Sequence, residues 1–290
     1  MKPLSLLPAL FAALTVALTA PAHSAEPLSG TLKAIKERKA IRIGHLTDAY
    51  PMSFVGPGGE VEGYSIELCK RIAEEVGKTV GITPLKIEYV PTTLEGRFDA
   101  VASGKVDIEC GTSTITLSRM ERVDFTNMSF VDGGGLLVRK GSAINNVAGL
   151  VDETVAVIPG TTTEKSLRAA LSRSFIKATV VPVKDHGEGV AAVASGKVSA
   201  YASDRVLLVG LLIKSQGPQP LDIAREQFSY EPYGFAIRRG DADFRLAANR
   251  TLARLYRSED MIKIFEKWFA PFGKPGEVLV LMYALNALPE

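Results

Sequence analysis

The heptapeptide AVASGKV occurs twice in the chain, at Ala100–Val106 and at Ala192–Val198. Two copies are too few for a solenoid, which needs its repeat at a fixed short period. Each copy stands at the same point of a local pattern. A helical run leads into it, its glycine suits a left-handed helix stop, and a strand-like run follows: KVDIEC after the first copy, KVSAYAS after the second. The word is therefore a helix end, a stop and a strand start, used once in each of two similar α/β lobes. The flanking segments agree. IRIGHL, LKIEYVP and KVDIEC read as strands separated by helices in the first half; TVAVIPG, ATVVPV and KVSAYAS do so in the second. Such βαβ alternation predicts a mostly parallel sheet flanked by helices in each lobe. PMSFVGPGGEVEGYS reads as a turn-rich connection. A pair of amphipathic helices near the C-terminus carries the sole tryptophan, Trp268, and the final PFGKPGEVLVLMYALNALPE is expected to pack back on the surface.

The N-terminus reads as an export signal rather than as structure. Lys2 precedes an apolar run from Leu4 to about Leu18, and small residues offer cleavage after Ala22 or after Ala25. That run is short for a membrane span, and no later segment has eighteen consecutive apolar residues. The expectation is a soluble, periplasmic protein with residues 1–25 removed. The formal net charge of +2 falls to +1 without Lys2, and this near-neutral, interspersed balance offers no basic surface for nucleic acid. The two cysteines, Cys69 and Cys110, permit one disulfide in an oxidising compartment. Both also fall on inward positions of their elements, and a pair of buried free thiols is the expectation. Their spacing fits no zinc motif, and with three histidines in all, no metal and no cofactor are expected.

In open α/β sheets, ligands sit beyond the carboxyl ends of the strands. Thr112, Ser113 and Thr114 follow the first repeat; Asp204 follows the second. Counted from the first alanine of each word, Thr112 and Asp204 hold the same position. The repeat thus marks two matching walls of one cleft. Arg119, just past the hydroxyl-rich loop, can grip a carboxylate through two parallel bonds. Thr161, Thr162 and Glu164 in PGTTTEKSL form a turn into a helix, with Thr161 and Glu164 at capping-box spacing, and a helix N-terminus welcomes an anion. Asp204 suits an ammonium, and could also cap the helix that follows it. Cationic and hydroxyl donors on one side and a carboxylate on the other match an α-amino acid, whose two buried charges each need a partner.

These segments, FDAVASGKVDIECGTSTITLSRMERVDFT, PGTTTE, VKDHGEG and GFAIRRGD, in that order and spacing, resemble the periplasmic amino-acid-binding proteins of ABC importers, most of all the glutamate/aspartate branch. The resemblance covers the mature chain. It implies a two-lobe periplasmic-binding-protein fold of type II, its lobes joined by two hinge strands near Val131–Leu136 and Ser229–Gly234. Lobe 1 would be residues 26–134 with 231–290, and lobe 2 residues 135–230. It implies that Arg119 and Thr162 hold the ligand carboxylate, Thr112 and Thr114 line the floor, and Asp204 takes the ammonium, while Arg97 and His186 approach the side chain. Two positions depart from the branch: Leu46 stands where it carries an arginine, and Leu94 where it carries a serine. The function implied is capture of glutamate or aspartate by a monomer that delivers it to a membrane permease. The alternatives are a neutral polar ligand such as glutamine or asparagine, or a dehydratase-like enzyme using His186 and Glu188. No nucleophile–base set supports the last, so no catalysis is expected.

Overall fold

The computed structural model describes residues 27–214 and 219–289, so the export-signal reading lies outside the described residues. Two five-stranded sheets share one topology. In the first, the strand order is Lys86–Pro91, Ala40–His45, Ile108–Glu109, Glu231–Arg238, Val123–Asp132. The first three run parallel and the last two antiparallel to their neighbours. In the second, the order is Thr179–Pro182, Thr154–Val157, Ala200–Asp204, Gly134–Arg139, Leu221–Ile223, with the same directions.

The repeated word occupies equivalent places in the two. Helix Arg97–Ala102 ends before Gly104 (φ +72°), and helix His186–Ala194 ends before Gly196 (φ +76°). A left-handed φ suits glycine, and both helices stop there for the same reason. The chain then folds back identically: Val106 N donates to Ala100 O at 3.1 Å, and Val198 N to Ala192 O at 3.2 Å. Even the lining matches, with Arg238 lying over Gly104 and Arg139 over Gly196.

The second sheet is covered on both faces, and alternation sorts its residues. Leu136, Val138, Val155, Val157, Ala200 and Ala202 enter one core; Leu137, Ala156 and Tyr201 enter the other. The first lobe buries a larger cluster that includes Ile41, Ile43, Phe235, Phe244 and Trp268. The chain leaves the first sheet at Asp132 and joins the second at Gly134; it returns to the first at Glu231, which pairs with Asp132. Gly133 lets the crossings touch, because a Cβ there would lie 2.4 Å from Ser229 O.

Two details differ from expectation, and a third, the tail packed back on the surface, agrees with it. Cys69 and Cys110 are joined in a disulfide, Cα–Cα 6.4 Å, rather than being free thiols. Helix Tyr64–Val80 packs so that Cys69 faces Cys110 within bridging range, a register that neither segment's own periodicity reveals. The connection after Leu46 contains a small antiparallel sheet of Asp48–Ala49, Ser53–Val55 and Val61–Glu62. The C-terminal tail is helical at Glu277–Asn286. It buries Leu279 and Met282, and its Tyr283 hydroxyl lies 2.9 Å from that of Tyr64.

Candidate functional site

Between the sheets lies a cavity of about 20 Å³, walled by Leu94, Arg97 and Thr112 from one side and by Thr161–Thr163, His186 and Asp204 from the other. That volume admits little more than a water. The two positions at equal offset from the repeat, Thr112 and Asp204, do meet here.

Asp204 ends its strand with both carboxylate oxygens engaged. Oδ1 accepts from Thr163 Oγ1 at 2.7 Å and Oδ2 accepts from the Tyr233 hydroxyl. It does not cap the helix that follows it. Asp132 does so from the crossing strand, its Oδ2 accepting from Val206 N at 2.9 Å, which leaves Asp204 aimed at the cavity. Thr114 Oγ1 donates to Glu231 Oε2 at 2.8 Å and lies 3.2 Å from Thr162 Oγ1 across the cleft. Thr161 caps helix Thr162–Arg173: its Oγ1 accepts from Glu164 N at 3.1 Å, while Glu164 Oε2 accepts from Gly160 N at 2.9 Å. The cap directs the positive end of the helix toward Thr114.

Arg119 is half-buried and donates from Nη1 to Thr114 O at 2.7 Å. Burial, reinforced by the like charge of Arg97, pushes its pKa down to about 10. Both guanidinium groups lie over the Phe98 ring, at 4.8 Å for Arg97 and 5.0 Å for Arg119. Arg97, on the first turn of its short helix, is buried rather than on a helix surface; Nη1 donates to Leu94 O at 2.6 Å and Nε has no protein partner. His186 opens helix His186–Ala194. Its Nδ1 is 2.8 Å from the Tyr201 hydroxyl, its Nε2 is buried without a partner, and burial lowers its pKa. Leu94 lines both the cavity and an adjoining groove of about 690 Å³, whereas buried Leu46 lines only the groove.

Four residues were not among those expected. Glu109 is fully buried behind Ser113, and burial raises its pKa against the pull of Arg97. Strand alternation puts it opposite Val106, Ile108 and Cys110, on a face that would be solvated only if the strand were not central. Asp132 and Glu231 are acids in the crossing segments FVDGGG and SYEPYG. Burial followed by the charge of Asp204 raises both, Asp132 to about 8. Tyr233 belongs with them, and acids inside strands that join two lobes were the available signal. Among the described residues, no group of three or more His, Cys, Asp or Glu could hold a metal ion, and no helix is long and apolar enough to cross a membrane.

Residues 41–271 match the bacterial extracellular solute-binding proteins, family 3. The chain belongs to that family. It is 34% identical to an L-glutamate/L-aspartate-binding protein of Pseudomonas aeruginosa, over 89% of this chain and 85% of the relative. It is 32% identical to a glutamate/aspartate import solute-binding protein of Escherichia coli K12, over 86% and 83%. Among solved structures, a reconstructed ancestral amino acid-binding protein described as a precursor of cyclohexadienyl dehydratase matches with a TM-score of 0.71 at 32% identity, covering 83% of this chain and all of that one. The two-lobe α/β architecture is that of the family. So is the solute-binding role, and the family's extracellular station agrees with export.

Proposed function

We propose that this family 3 solute-binding protein captures an acidic amino acid, L-glutamate or L-aspartate, in its interlobe cleft in the periplasm and hands it, chemically unchanged, to the permease of an ABC importer. The observation that carries the reading is the opposition of charge across the cavity. Arg97 and Asp204 stand on its two walls with Thr162 at a helix N-terminus between them, and Thr114 and Arg119 lie just beyond, Thr114 Oγ1 3.2 Å from Thr162 Oγ1 and Arg119 Nη1 2.7 Å from Thr114 O; in this reading Arg119, Thr114 and Thr162 take the ligand carboxylate and Asp204 its ammonium. Thr112 and Thr161 complete the walls, and Arg97 and His186 meet the side chain. In this reading lobe 1 comprises residues 26–134 with 231–290 and lobe 2 residues 135–230; they part and close about Asp132–Gly134 and Ser229–Glu231, the hinge motion open to such an architecture. The protein acts as a monomer, without nucleic acid or cofactor.

A second reading, a neutral polar ligand such as glutamine or asparagine, draws on Leu46 and Leu94, which add apolar surface where a side chain would end. The likeness to a dehydratase precursor is the opening for catalysis, with His186, whose Nδ1 lies 2.8 Å from the Tyr201 hydroxyl, and Glu188 as the candidate acid–base groups. Arg119→Ala should weaken every amino-acid ligand by about 2–5 kcal/mol, because a buried carboxylate loses its partner. Calorimetry reads this directly; near-wild-type affinity removes Arg119 from the site, and conversion of the ligand would make the protein an enzyme.

A further inference from the structure

Behind Arg97, a wall residue of the cavity, lies a carboxylate that the binding reading does not use. Glu109 is fully buried. Its Oε2 accepts from Ser113 Oγ at 2.6 Å, but Oε1 has no protein partner. That free oxygen points at the space beside Gly111, where a Cβ would stand 2.3 Å from it and 3.1 Å from Leu46 Cδ1. The neighbours offer it little. Strand residues Gly44 and Ala236, which pair with Glu109, bring no charge, and Leu46 brings none either. From helix Arg97–Ala102 comes Arg97, from the loop after the strand come the Ser113 hydroxyl and the Gly111 backbone N–H, and from helix Leu117–Met120 comes Arg119. Glu109 and the ligand side chain would therefore draw on the same cation, Arg97.

Charge counting gives the consequence, and it rests on the acidic-ligand reading. Arg97 and Arg119 bring two positive charges; Glu109 and Asp204 bring two negative ones. An amino acid with a neutral side chain adds none. Glutamate or aspartate adds one negative charge, enclosed between the lobes, where an uncompensated charge is costly. The second guanidinium that would offset it is missing, since Leu46 stands beside the Glu109 oxygen.

We infer that Glu109 is the positioning residue for an acidic side chain, and that such a ligand is bound together with one proton taken from solvent onto Glu109 Oε1. Protonation removes the competing anion and leaves Arg97 to the ligand. The anionic amino acid and the proton enter together, the proton forms an O–H bond at Oε1, and both leave on release. Burial, which already favours the neutral form of Glu109, works in the same direction. Burial lowers the pKa of His186, which Asp48 and Asp185 face, and burial with the charge of Asp204 raises Asp132 and Glu231. A dependence on pH must therefore be assigned by substitution.

The test is calorimetry of the full-length mature protein with L-glutamate and L-glutamine, in phosphate and in Tris, from about pH 6 to about pH 9. The difference between buffers counts protons. Wild type should take up close to one proton per glutamate at the alkaline end and none with glutamine, and its glutamate affinity should fall about tenfold per pH unit there. In Glu109→Gln, which keeps the acceptor for Ser113 and cannot ionise, proton uptake and the slope should vanish. Glutamate bound by wild type with no proton uptake at any pH overturns the inference and leaves the acidic reading standing. A slope that persists in Glu109→Gln also overturns it, and assigns the proton to another group, His186, Asp132 or Glu231. Glutamine bound while glutamate and aspartate are refused throughout defeats the acidic reading itself.

Discussion

Asp204→Asn should separate binding from stability. The amide keeps an acceptor for Thr163 Oγ1 and can donate to the Tyr233 oxygen, so the local hydrogen bonds survive. What disappears is the negative charge. For the ligand this is a loss: the ammonium meets a neutral amide in an enclosed site. Breaking one side of such a pair costs about 2–5 kcal/mol, roughly thirty- to several-thousand-fold in affinity. For the empty protein the lost charge lifts a repulsion from Asp132 and Glu231 against a loosened attraction to Arg97 and Arg119. The Asp204 charge helps hold the Asp132 carboxyl up at about 8 and raises Glu231 as well. Each pKa unit of that shift owed to Asp204 is worth about 1.4 kcal/mol once the pH exceeds about 8. A gain of about 1 kcal/mol raises Tm by about 2–4 °C in a protein of this size. Thermal melts at about pH 8, with and without saturating amino acid, read both effects. The variant should melt above wild type when empty and respond weakly to ligand. An empty variant melting below wild type, or a ligand-induced rise equal to that of wild type, would refute the placement of Asp204 as an electrostatic liability kept for binding.

Asp132→Asn should change how stability varies with pH. The folded carboxyl titrates at about 8 against a reference of 3.8, so between those values the folded state holds a proton that the unfolded state has lost. Stability then falls as pH rises, by about 1.4 kcal/mol per unit from this group; urea unfolding of the variant should show a flatter profile, its advantage over wild type growing from about pH 5 to about pH 8. The double substitution Cys69→Ser with Cys110→Ser opens a loop with a sequence separation of 41 residues. The chain-entropy relation puts that loss at about 4 kcal/mol, which equilibrium unfolding in urea measures. Leu46→Arg should tighten glutamate and aspartate in a calorimetric titration, because it sets a guanidinium beside the unpartnered oxygen of Glu109.

Much of the architecture was legible because it is written locally. A helix stop at Gly104 and another at Gly196 need a left-handed backbone, and the strands that follow need only alternation. Equal offsets from the two words then brought Thr112 and Asp204 to one cavity. The hidden features depend on how distant elements pack. Nothing within YSIELCKRIAEEV places Cys69 opposite Cys110 rather than a turn away. Glu109 occupies the polar phase of an alternating strand, and only the covering of both faces of a central strand buries it. The cap on helix Arg205–Lys214 comes from Asp132 on a crossing strand instead of from the adjacent Asp204, so the local capping rule pointed to a residue held for the cavity. Leu46 lies one layer out from its expected place, in the groove next to the cavity, because its backbone N–H is tied to Ser53 Oγ at 3.0 Å.

Capture of an amino acid between the lobes is the center of this account, and a thermal-shift panel of the twenty standard amino acids on the purified mature protein tests it most directly. A ligand that binds only the folded form raises Tm in proportion to the logarithm of its excess over Kd. Amino acids carrying both a free carboxylate and a free ammonium should stabilise the protein clearly, with L-glutamate or L-aspartate ranked first and the response abolished in Arg119→Ala. No stabilisation by any amino acid, or an equal response in Arg119→Ala, contradicts it.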